Sequence, residues 1–301
     1  MRVKSRLQLL AAAALFSTGG AAIKATDLSS WQVASFRSGI AALTILLLVP
    51  AARRGWTPRA AMVGVTYAAT MVLFVVANKL TTAANAIFLQ SSAPLYVLLL
   101  GPWLLREPVR RRDLLFMAAV GAGLALFFVG TEAPVATAPD PFLGNLVALC
   151  SGVAWALTVV GLRWLGGQEQ GEAAFATIAI GNVLAFALCL PLALPVRDAA
   201  AADWLTIGYL GVFQIGFAYL FLTSGIRHVP ALEASVLLLV EPALNPMWAA
   251  LLHDEIPSHW SIAGGALILG ATLVRTWQGV RPPGRRGAET LEVFEEGRGP
   301  I

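Results

Sequence analysis

The stretch "LLLVEPALNPMWAALLHDE" (237–255) places an acidic residue and two prolines inside an apolar run. Glu241 lies about ten residues into that run, and about 20 apolar residues cross a bilayer as a helix. A charge at that depth is unfavourable, and each proline removes a backbone donor from the helix. The stretch therefore predicts a membrane helix in which a carboxylate sits beside a break.

The composition of the whole chain also indicates a membrane protein. Of its 301 residues, 57% are hydrophobic and only 13% are charged, and the mean hydropathy is +0.73. A soluble domain carries about 25% charged residues, so this chain lacks the polar surface that would keep it in water. We therefore expect an integral membrane protein.

Apolar runs of about spanning length recur ten times, which predicts an all-α membrane protein with ten transmembrane helices. The longest connection between runs, "GTEAPVATAPDPF" (130–142), falls at the midpoint. The tail 278–301 is polar and rich in Gly and Pro, so we expect a disordered cytoplasmic segment. The ten runs are 7–25, 31–50, 60–78, 83–104, 114–130, 142–165, 173–195, 204–224, 231–252 and 259–277.

Two pairs of stretches repeat between the halves of the chain. "ALFSTGG" (14–20) aligns with "ALCSGVA" (148–154), which indicates that the first run is a retained helix and not a cleaved signal peptide. "ANAIFLQSSAPLYVLLLGPWLLREP" (84–108) aligns with "LEASVLLLVEPALNPMWAALLHDEIP" (232–257) at an offset of 148. The second register matches Ala86 with Ala234, Pro94 with Pro242 and Glu107 with Glu255.

The basic residues are distributed unevenly across this topology. With the N-terminus in the cytoplasm, 17 of the 21 Lys and Arg residues fall on the cytoplasmic side. Lys24, Lys79 and Arg197 fall on the other side, and Arg37 falls within the second helix. Because cytoplasmic loops carry the excess of Lys and Arg, we predict that both termini are cytoplasmic in a bacterial inner membrane. The arginines are thereby explained as topology signals, and nucleic acid is not an expected partner.

An odd number of helices in each half has a consequence for their orientation. With five helices in each of 7–130 and 142–277, the second half must cross the membrane upside down relative to the first. Such inverted repeats are typical of secondary transporters, whose substrate site lies near the midplane between the repeats. The sequence therefore predicts two inverted five-helix repeats.

Glu241, Asn245 and Trp248 share one face of the ninth helix by their i, i+4, i+7 spacing. Carbonyls freed by proline at membrane depth are tolerated where other helices or a wet cavity satisfy them. The stripe predicts a carboxylate that faces a cavity, and the alternative is a glutamate that only ties helices together. The predicted hinge positions are Pro94, Pro242 and Pro246.

Polar and aromatic side chains follow one face of three further helices at helical spacing. Each residue of this kind is also explained by hydrogen bonding between helices, but several such helices together predict a shared cavity. The predicted substrate-binding residues on these helices are Asn85, Ser92 and Tyr96 on the fourth, Ser151 and Trp155 on the sixth, and Tyr219 on the eighth, with Ser17 as the counterpart of Ser151.

Arg37 is the second charge within an apolar run. It lies about six residues from the outer end of its helix, so its long side chain can reach outward. We expect Arg37 to anchor this helix, and Lys24 and Lys79 to lie as anchors at the membrane interface. A role of the two lysines in an outer vestibule stays open.

Motifs for cofactor or metal chemistry are missing from the sequence. It contains no G-x-x-x-x-G-K-[ST] motif for nucleotide hydrolysis. The three histidines sit at helix ends, and the two cysteines lack metal-ligand spacing. We therefore expect no cofactor, no metal and no enzymatic activity.

The order of these features resembles the EamA-type branch of the drug/metabolite transporter superfamily. The resemblance covers about residues 7 to 277 and rests on "FSTGGAAIK" and "SSWQVASFR" in the first two helices and on the Pro and Glu pairs that close helices four and nine. It places the family's helix-one Lys on Lys24 and its helix-two Arg on Arg37. Ser17 stands where the family often has an aromatic residue, and Ala93 occupies the first-half counterpart of Glu241.

The resemblance implies export of small metabolites, with amino acids as a prominent class, by alternating access. The expected partners are a small-molecule substrate and the lipid bilayer, with protons as a candidate coupling ion. A carrier of a drug, a cation, a lipid or a nucleotide-sugar is the alternative. A membrane-embedded transferase is a further alternative, but it needs a catalytic constellation that the sequence lacks.

Overall fold

The computed structural model describes residues 2–104, 109, 111–129, 133–165, 170–226, 228, 229 and 231–280. These residues are helical and contain no β-strand beyond one isolated bridge in a loop. The helices are α1 Arg2–Ser17, α2 Gly19–Lys24, α3 Ser30–Leu48, α4 Pro58–Leu80, α5 Ala83–Gln90, α6 Ala93–Leu104, α7 Arg111–Val129, α8 Pro141–Trp164, α9 Gln170–Ala193, α10 Ala201–Tyr209, α11 Ala218–Ile226, α12 Ala231–Leu238, α13 Val240–His253 and α14 His259–Val280, with a 3₁₀ turn at Pro50–Arg53 and a π-helix at Leu210–Phe217.

These elements form ten helical segments, numbered here in chain order, and each overlaps one of the ten apolar runs. Segment 1 combines α1 and α2, segment 4 combines α5 and α6, and segment 9 combines α12 and α13. Segment 8 runs from α10 through the π-helix to α11. Eight segments of the described chain are long and apolar enough to cross a membrane. Segment 5 has a shorter apolar helix, Asp113–Val129, and segment 10 is α14, with 22 residues.

Helix α14 continues to Val280, so residues 278–280 of the predicted tail are helical in the structure. Apolar and aromatic residues extend the helical pattern up to this point. The remainder of the predicted tail, 281–301, lies outside the described residues, as does Glu107 of the repeat.

Polar side chains define where several helices begin. The Ser29 side chain accepts a hydrogen bond from the Gln32 amide, and the Gln32 side chain accepts one from Ser29, which forms a capping box at α3. The Thr57 side chain caps α4 and the Asp140 side chain caps α8. In α4 and α8 the capping residue is followed by proline at the first helical position, where an N–H would have no helical partner.

Four of the ten segments are interrupted within their length. Segments 1, 4 and 9 each break into two α-helices, and segment 8 contains the π-helix. Prolines explain two of the breaks, because Pro94 and Pro242 have no N–H to bond the carbonyls of Gln90 and Leu238. A π-helical turn inside an α-helix is rare and is often found at functional sites.

Segments 1 and 9 run parallel and are joined by polar contacts along their length. Near the N-terminus, Arg6 forms an exposed salt bridge with Glu233. At the other end of the bundle, called here the Lys24 end, Lys24 Nζ lies 2.9 Å from Glu255 Oε2. The imidazole of His253 also contacts the carbonyl of Ala21 at this end, at 2.8 Å.

The ion pair at the Lys24 end is buried, with side-chain exposures of 2% for Lys24 and 4% for Glu255. The expectation that Lys24 lies as an anchor at the membrane interface is therefore wrong. Its ammonium also donates to the carbonyls of Thr81, at 2.9 Å, and Thr137. Glu255 Oε1 accepts a hydrogen bond from the Ala83 amide at 2.5 Å, so the pair ties segment 1 to segments 4 and 9.

Candidate functional site

A cavity of about 290 Å³ lies between the helices, and we call it the central cavity. Its walls come from segments 1, 2, 3, 4, 6, 8, 9 and 10. The lining combines a cation, a carboxylate, several neutral polar groups and aromatic rings. The lining residues are Phe16, Arg37, Thr70, Met71, Phe74, Ile87, Gln90, Ser91, Ala93, Pro94, Trp155, Gln214, Ile215, Tyr219, Leu222, Leu238, Leu239, Glu241, Pro242 and Thr272.

Three of the four helix interruptions contribute to the lining of this cavity. Ser91 lies in the break of segment 4 and Leu239 in the break of segment 9, and both line the cavity. Their numbers differ by 148, which is the offset of the sequence repeat. Gln214 reaches the cavity from the π-helix of segment 8. Irregular backbone at membrane depth is tolerated where it lines a cavity, and broken helices of this kind form the substrate sites of many transporters.

Arg37 lies in the wall of the central cavity. Its side chain is only 1% exposed, so the outward reach that the sequence suggested is wrong, and the anchoring contact that the structure shows is to α4. One guanidinium nitrogen, Nη2, donates to the Met71 carbonyl at 2.9 Å, and the Nε–H has no hydrogen-bond partner. The face of α3 that carries Arg37 also buries Ala34 and Ala41, at i−3 and i+4, so this face points into the bundle.

Glu241 lines the same cavity from the first turn of α13. Among the described residues it forms no salt bridge, and Arg37 is not within ion-pair distance of it. The Tyr219 ring lies within electrostatic reach of both charges. Tyr219 also packs edge-to-face on Phe16, with 5.0 Å between ring centroids, and on Tyr67, with 5.7 Å.

Five of the thirteen residues predicted from the sequence line the cavity together. Glu241, Trp155 and Tyr219 belong to the predicted substrate-binding set, and Pro94 and Pro242 to the predicted hinges. They come from segments 4, 6, 8 and 9, so the expectation of a cavity shared by several helices agrees with their placement.

The rest of the predicted stripe on segment 9 packs against segment 1. The Trp248 indole donates to the Ser17 hydroxyl at 3.0 Å. Asn245 is fully buried, and its Oδ1 lies 2.8 Å from where a side chain on Gly20 would begin. The parallel packing of segments 1 and 9 covers this face, so only Glu241 of the stripe opens into the cavity.

The remaining predicted residues also lie outside the cavity lining. Asn85 donates to the Thr81 hydroxyl and to Asn145 Oδ1 near the Lys24 end. Ser92 donates to the Leu89 carbonyl at 2.6 Å, beside the break of segment 4. Tyr96 packs near Gly152 of α8, and Pro246 lies within α13, one turn beyond Pro242.

Ser151 acts one layer behind the cavity wall. Its hydroxyl accepts a hydrogen bond from Gln90 Nε2 at 2.7 Å and donates to the Thr70 carbonyl at 3.3 Å. Gln90 and Thr70 are themselves lining residues that the sequence did not single out. The signal that could have found Gln90 is its place four residues before Pro94, at the end of a helix that the proline interrupts.

A resident metal site is not visible in the part of the chain that the structure describes. Within those ranges no three His, Cys, Asp or Glu side chains lie close enough together to hold an ion. The cavity chemistry is instead that of separate charges, amide and hydroxyl groups, and aromatic faces. The arrangement is typical of pockets for small molecules, which combine apolar walls with a few polar groups that fix the orientation of the ligand.

Comparisons with known proteins agree with this architecture. A model of the EamA-like transporter family matches the chain twice, over residues 4–129 and 142–277. The pseudopaline exporter CntI of Pseudomonas aeruginosa strain UCBPP-PA14 is 28% identical over 282 residues, covering 88% of this chain and 93% of the exporter, and the exporter of strain PAO1 matches equally. A solved crystal structure aligns with a TM-score of 0.63 and 20% identity, over 94% of this chain and 100% of that chain, which indicates a shared fold.

Proposed function

We propose that this chain, which belongs to the EamA-like transporter family, exports amino acids, aromatic ones among them, or similar small metabolites. By family and by its apolar helices the chain is a multi-pass membrane transporter. The observation that carries the substrate class is the central cavity, where a carboxylate lies among aromatic side chains. A relative that exports a metabolite, pseudopaline, supports export as the direction of transport.

The transport cycle that we propose is alternating access across a bacterial inner membrane. The topology that we propose for it has ten transmembrane helices in two inverted repeats, 7–130 and 142–277, with both termini in the cytoplasm. Support comes from the separate match of the family model to each half and from the breaks at positions 148 residues apart. The uneven distribution of Lys and Arg supports the orientation.

In this proposal Glu241 binds the amine of the substrate or takes up a proton during transport. A carboxylate in a bilayer interior costs several kcal/mol unless water, a partner or a proton relieves it. The described residues give Glu241 no salt-bridge partner, so relief from the cavity contents is the simplest account. Pro94 and Pro242 are the proposed hinges, since the helices beside the cavity are already broken there.

A carrier of another small-molecule class, such as a drug, a cation or a nucleotide-sugar, is the second candidate. The cavity volume of about 290 Å³ lies at the lower end of the range of about 300–1,000 Å³ for ligand pockets. This favours a single small metabolite over a nucleotide-sugar.

The substrate class is tested with purified protein in liposomes. Uptake of each labelled amino acid is compared with uptake into empty vesicles, and nucleotide-sugars and quaternary amines serve as the competing classes. We expect uptake of at least one amino acid, and competition among those with apolar side chains. Uptake of only the competing classes would overturn the amino-acid assignment.

Glu241→Gln separates the two roles of the carboxylate, because it keeps the shape and deletes the charge. We expect transport to be lost while folding stays intact. Loss of the pH dependence alone would assign proton coupling. Glu233→Gln is the matched control, because Glu233 lies on the same segment outside the cavity. Wild-type rates, affinity and pH dependence in Glu241→Gln would show that Glu241 only ties helices together.

A further inference from the structure

Arg37 holds a buried positive charge that none of the described residues neutralises. Its side chain lines the central cavity and is 1% exposed. Within the described part of the chain it forms no salt bridge, and its only hydrogen bonds go to Met71, through the carbonyl at 2.9 Å and the sulfur at 4.0 Å. The Nε–H has no partner. A guanidinium carries five N–H donors, so most of its capacity is unused.

The groups around Arg37 do not supply a negative charge. The titratable side chains within its electrostatic reach are Tyr67, Tyr219 and Cys189. Tyr67 accepts a hydrogen bond from Asn182, and Tyr219 packs on the Tyr67 ring. A buried guanidinium in a membrane protein is stable when it meets water, a carbonyl or an anion. Arg37 is part of the cavity lining, so the cavity is the place from which a compensating anion can reach it.

The other charge of the cavity is of opposite sign, and it too has no salt-bridge partner within the part of the chain that the structure describes. Glu241 lies on segment 9 and Arg37 on segment 2, and no salt bridge joins them although they line one cavity. Tyr219 lies within electrostatic reach of both. A cavity with separated positive and negative poles is complementary to a molecule that carries both charges at a distance.

We propose that Arg37 is a specificity-determining residue that binds the carboxylate of the transported molecule. The proposal rests on the proposed function and narrows it, because the site then selects zwitterions over amines and over simple acids. Arg37 Nε–H and the free N–H of its terminal nitrogens form the planar fork that pairs with a carboxylate in two hydrogen bonds. Glu241 holds the amine at the other pole, and the aromatic walls cover the apolar body between them.

The alternative is that Arg37 only ties α3 to α4 through the Met71 carbonyl. A single hydrogen bond to a carbonyl can also be made by a neutral donor, so this role does not require a charge. The alternative leaves the free Nε–H and the placement in the cavity wall unexplained. It also predicts that all ligands respond alike to a change at Arg37, whereas carboxylate binding predicts that only acids respond.

Three compounds that share one phenyl ring and chain test the proposal. They are phenylalanine, 2-phenylethylamine, which lacks the carboxylate, and 3-phenylpropionate, which lacks the amine. Binding is measured from the ligand-dependent rise in thermal stability of the full-length protein in detergent. The variants are Arg37→Gln and Arg37→Lys, with Glu241→Gln as the converse and Arg59→Gln as a control at an exposed arginine.

We expect Arg37→Gln to weaken binding of phenylalanine and 3-phenylpropionate by about tenfold or more and to leave 2-phenylethylamine unchanged. Glu241→Gln is expected to weaken the binding of phenylalanine and 2-phenylethylamine and to leave the binding of 3-phenylpropionate unchanged. Arg37→Lys keeps the charge without the fork, so its acid affinity should lie between wild type and Arg37→Gln. If Arg37→Gln does not fold, the comparison of the acid with the amine in Arg37→Lys decides.

The proposal is overturned if Arg37→Gln weakens binding of all three compounds equally, or if it leaves binding of the acid unchanged. It is also overturned if the wild-type protein binds only the amine or none of the three compounds. The outcome is separable from the proposed function. If binding of 3-phenylpropionate depends on Arg37 but no amino acid is transported, the amino-acid assignment is wrong and the carboxylate site is retained. If amino acids are transported but binding of the acid does not depend on Arg37, the proposed function is retained and the role of Arg37 is wrong.

Discussion

The buried ion pair at the Lys24 end gives the sharpest test of what holds segments 1 and 9 together. We predict that Glu255→Gln lowers the free energy of unfolding by about 3–5 kcal/mol, the usual effect of removing one partner from a buried pair. The substitution leaves the Lys24 ammonium with two carbonyl partners but without its counter-ion. The glutamine can still accept the hydrogen bond from the Ala83 amide. The loss of stability therefore measures the missing charge and not the missing hydrogen bond to Ala83.

The exposed salt bridge on the same two segments supplies the matched control. Arg6 and Glu233 have side-chain exposures of 47% and 32%, and solvent screens such pairs so that many contribute nothing measurable. Glu233→Gln should therefore leave the unfolding transition unchanged. The double variant Lys24→Met with Glu255→Gln removes both buried charges and should regain most of the stability lost in Glu255→Gln, because replacing a whole buried pair is often neutral.

The assay is unfolding of the purified protein by SDS in mixed micelles, followed by tryptophan fluorescence, with folding checked by circular dichroism. Wild type, Glu255→Gln, Lys24→Met and the double variant form a double-mutant cycle, and Glu233→Gln is measured beside it as the control. The reasoning is refuted if Glu255→Gln unfolds within error of wild type, or if the double variant is destabilised by the sum of the two single changes.

Three further outcomes follow from the packing, the break and the topology. Gly20→Ala places a methyl group within 3.0 Å of three side-chain atoms and should cost about 1–3 kcal/mol, whereas Gly208→Ala meets open space and should cost nothing in the same SDS unfolding assay. Pro242→Ala restores a backbone donor in segment 9, so thermal stability should be kept or raised. Transport into liposomes should fall about tenfold, which corresponds to about 1.4 kcal/mol. Unchanged transport would show that Pro242 is not a hinge. Single cysteines at the exposed positions Arg111 and Ile256, in a background without the native cysteines, should label from opposite sides of the membrane, and labelling from one side would contradict the inverted repeat.

The helical segments could be predicted from the sequence because apolar length is a local property. Each apolar run overlaps one helical segment, and the run at 114–130 agrees with α7, Arg111–Val129, within a few residues. The breaks beside Pro94 and Pro242 were also foreseeable, because a missing N–H acts on the same turn of the same chain. The π-helix of segment 8 has no such local cause in the sequence, and it was not predicted.

The lining of the cavity was harder to predict, because it depends on how each helix is rotated against its neighbours. Asn245 and Trp248 share a face with Glu241, as their spacing indicates, but segment 1 covers that face below the first turn of α13. Ser151 was placed on the correct face of α8, yet Gln90 stands between it and the cavity. Helical spacing identifies the face and leaves open which neighbour covers it.

Arg37 shows the same limit for a charge. Its distance from the helix end favours an outward-reaching side chain, and only the packed bundle shows that the space around it opens inward. Because Arg37 belongs to the first proposed repeat and Glu241 to the second, a ligand that bridges them contacts both halves at once. A ligand shifts a conformational equilibrium only by its difference in affinity between the two states. A zwitterion held at both poles gains or loses affinity when the repeats move apart, whereas an amine held by Glu241 alone does not. Selection of the substrate and its coupling to alternating access would then depend on the same two charges.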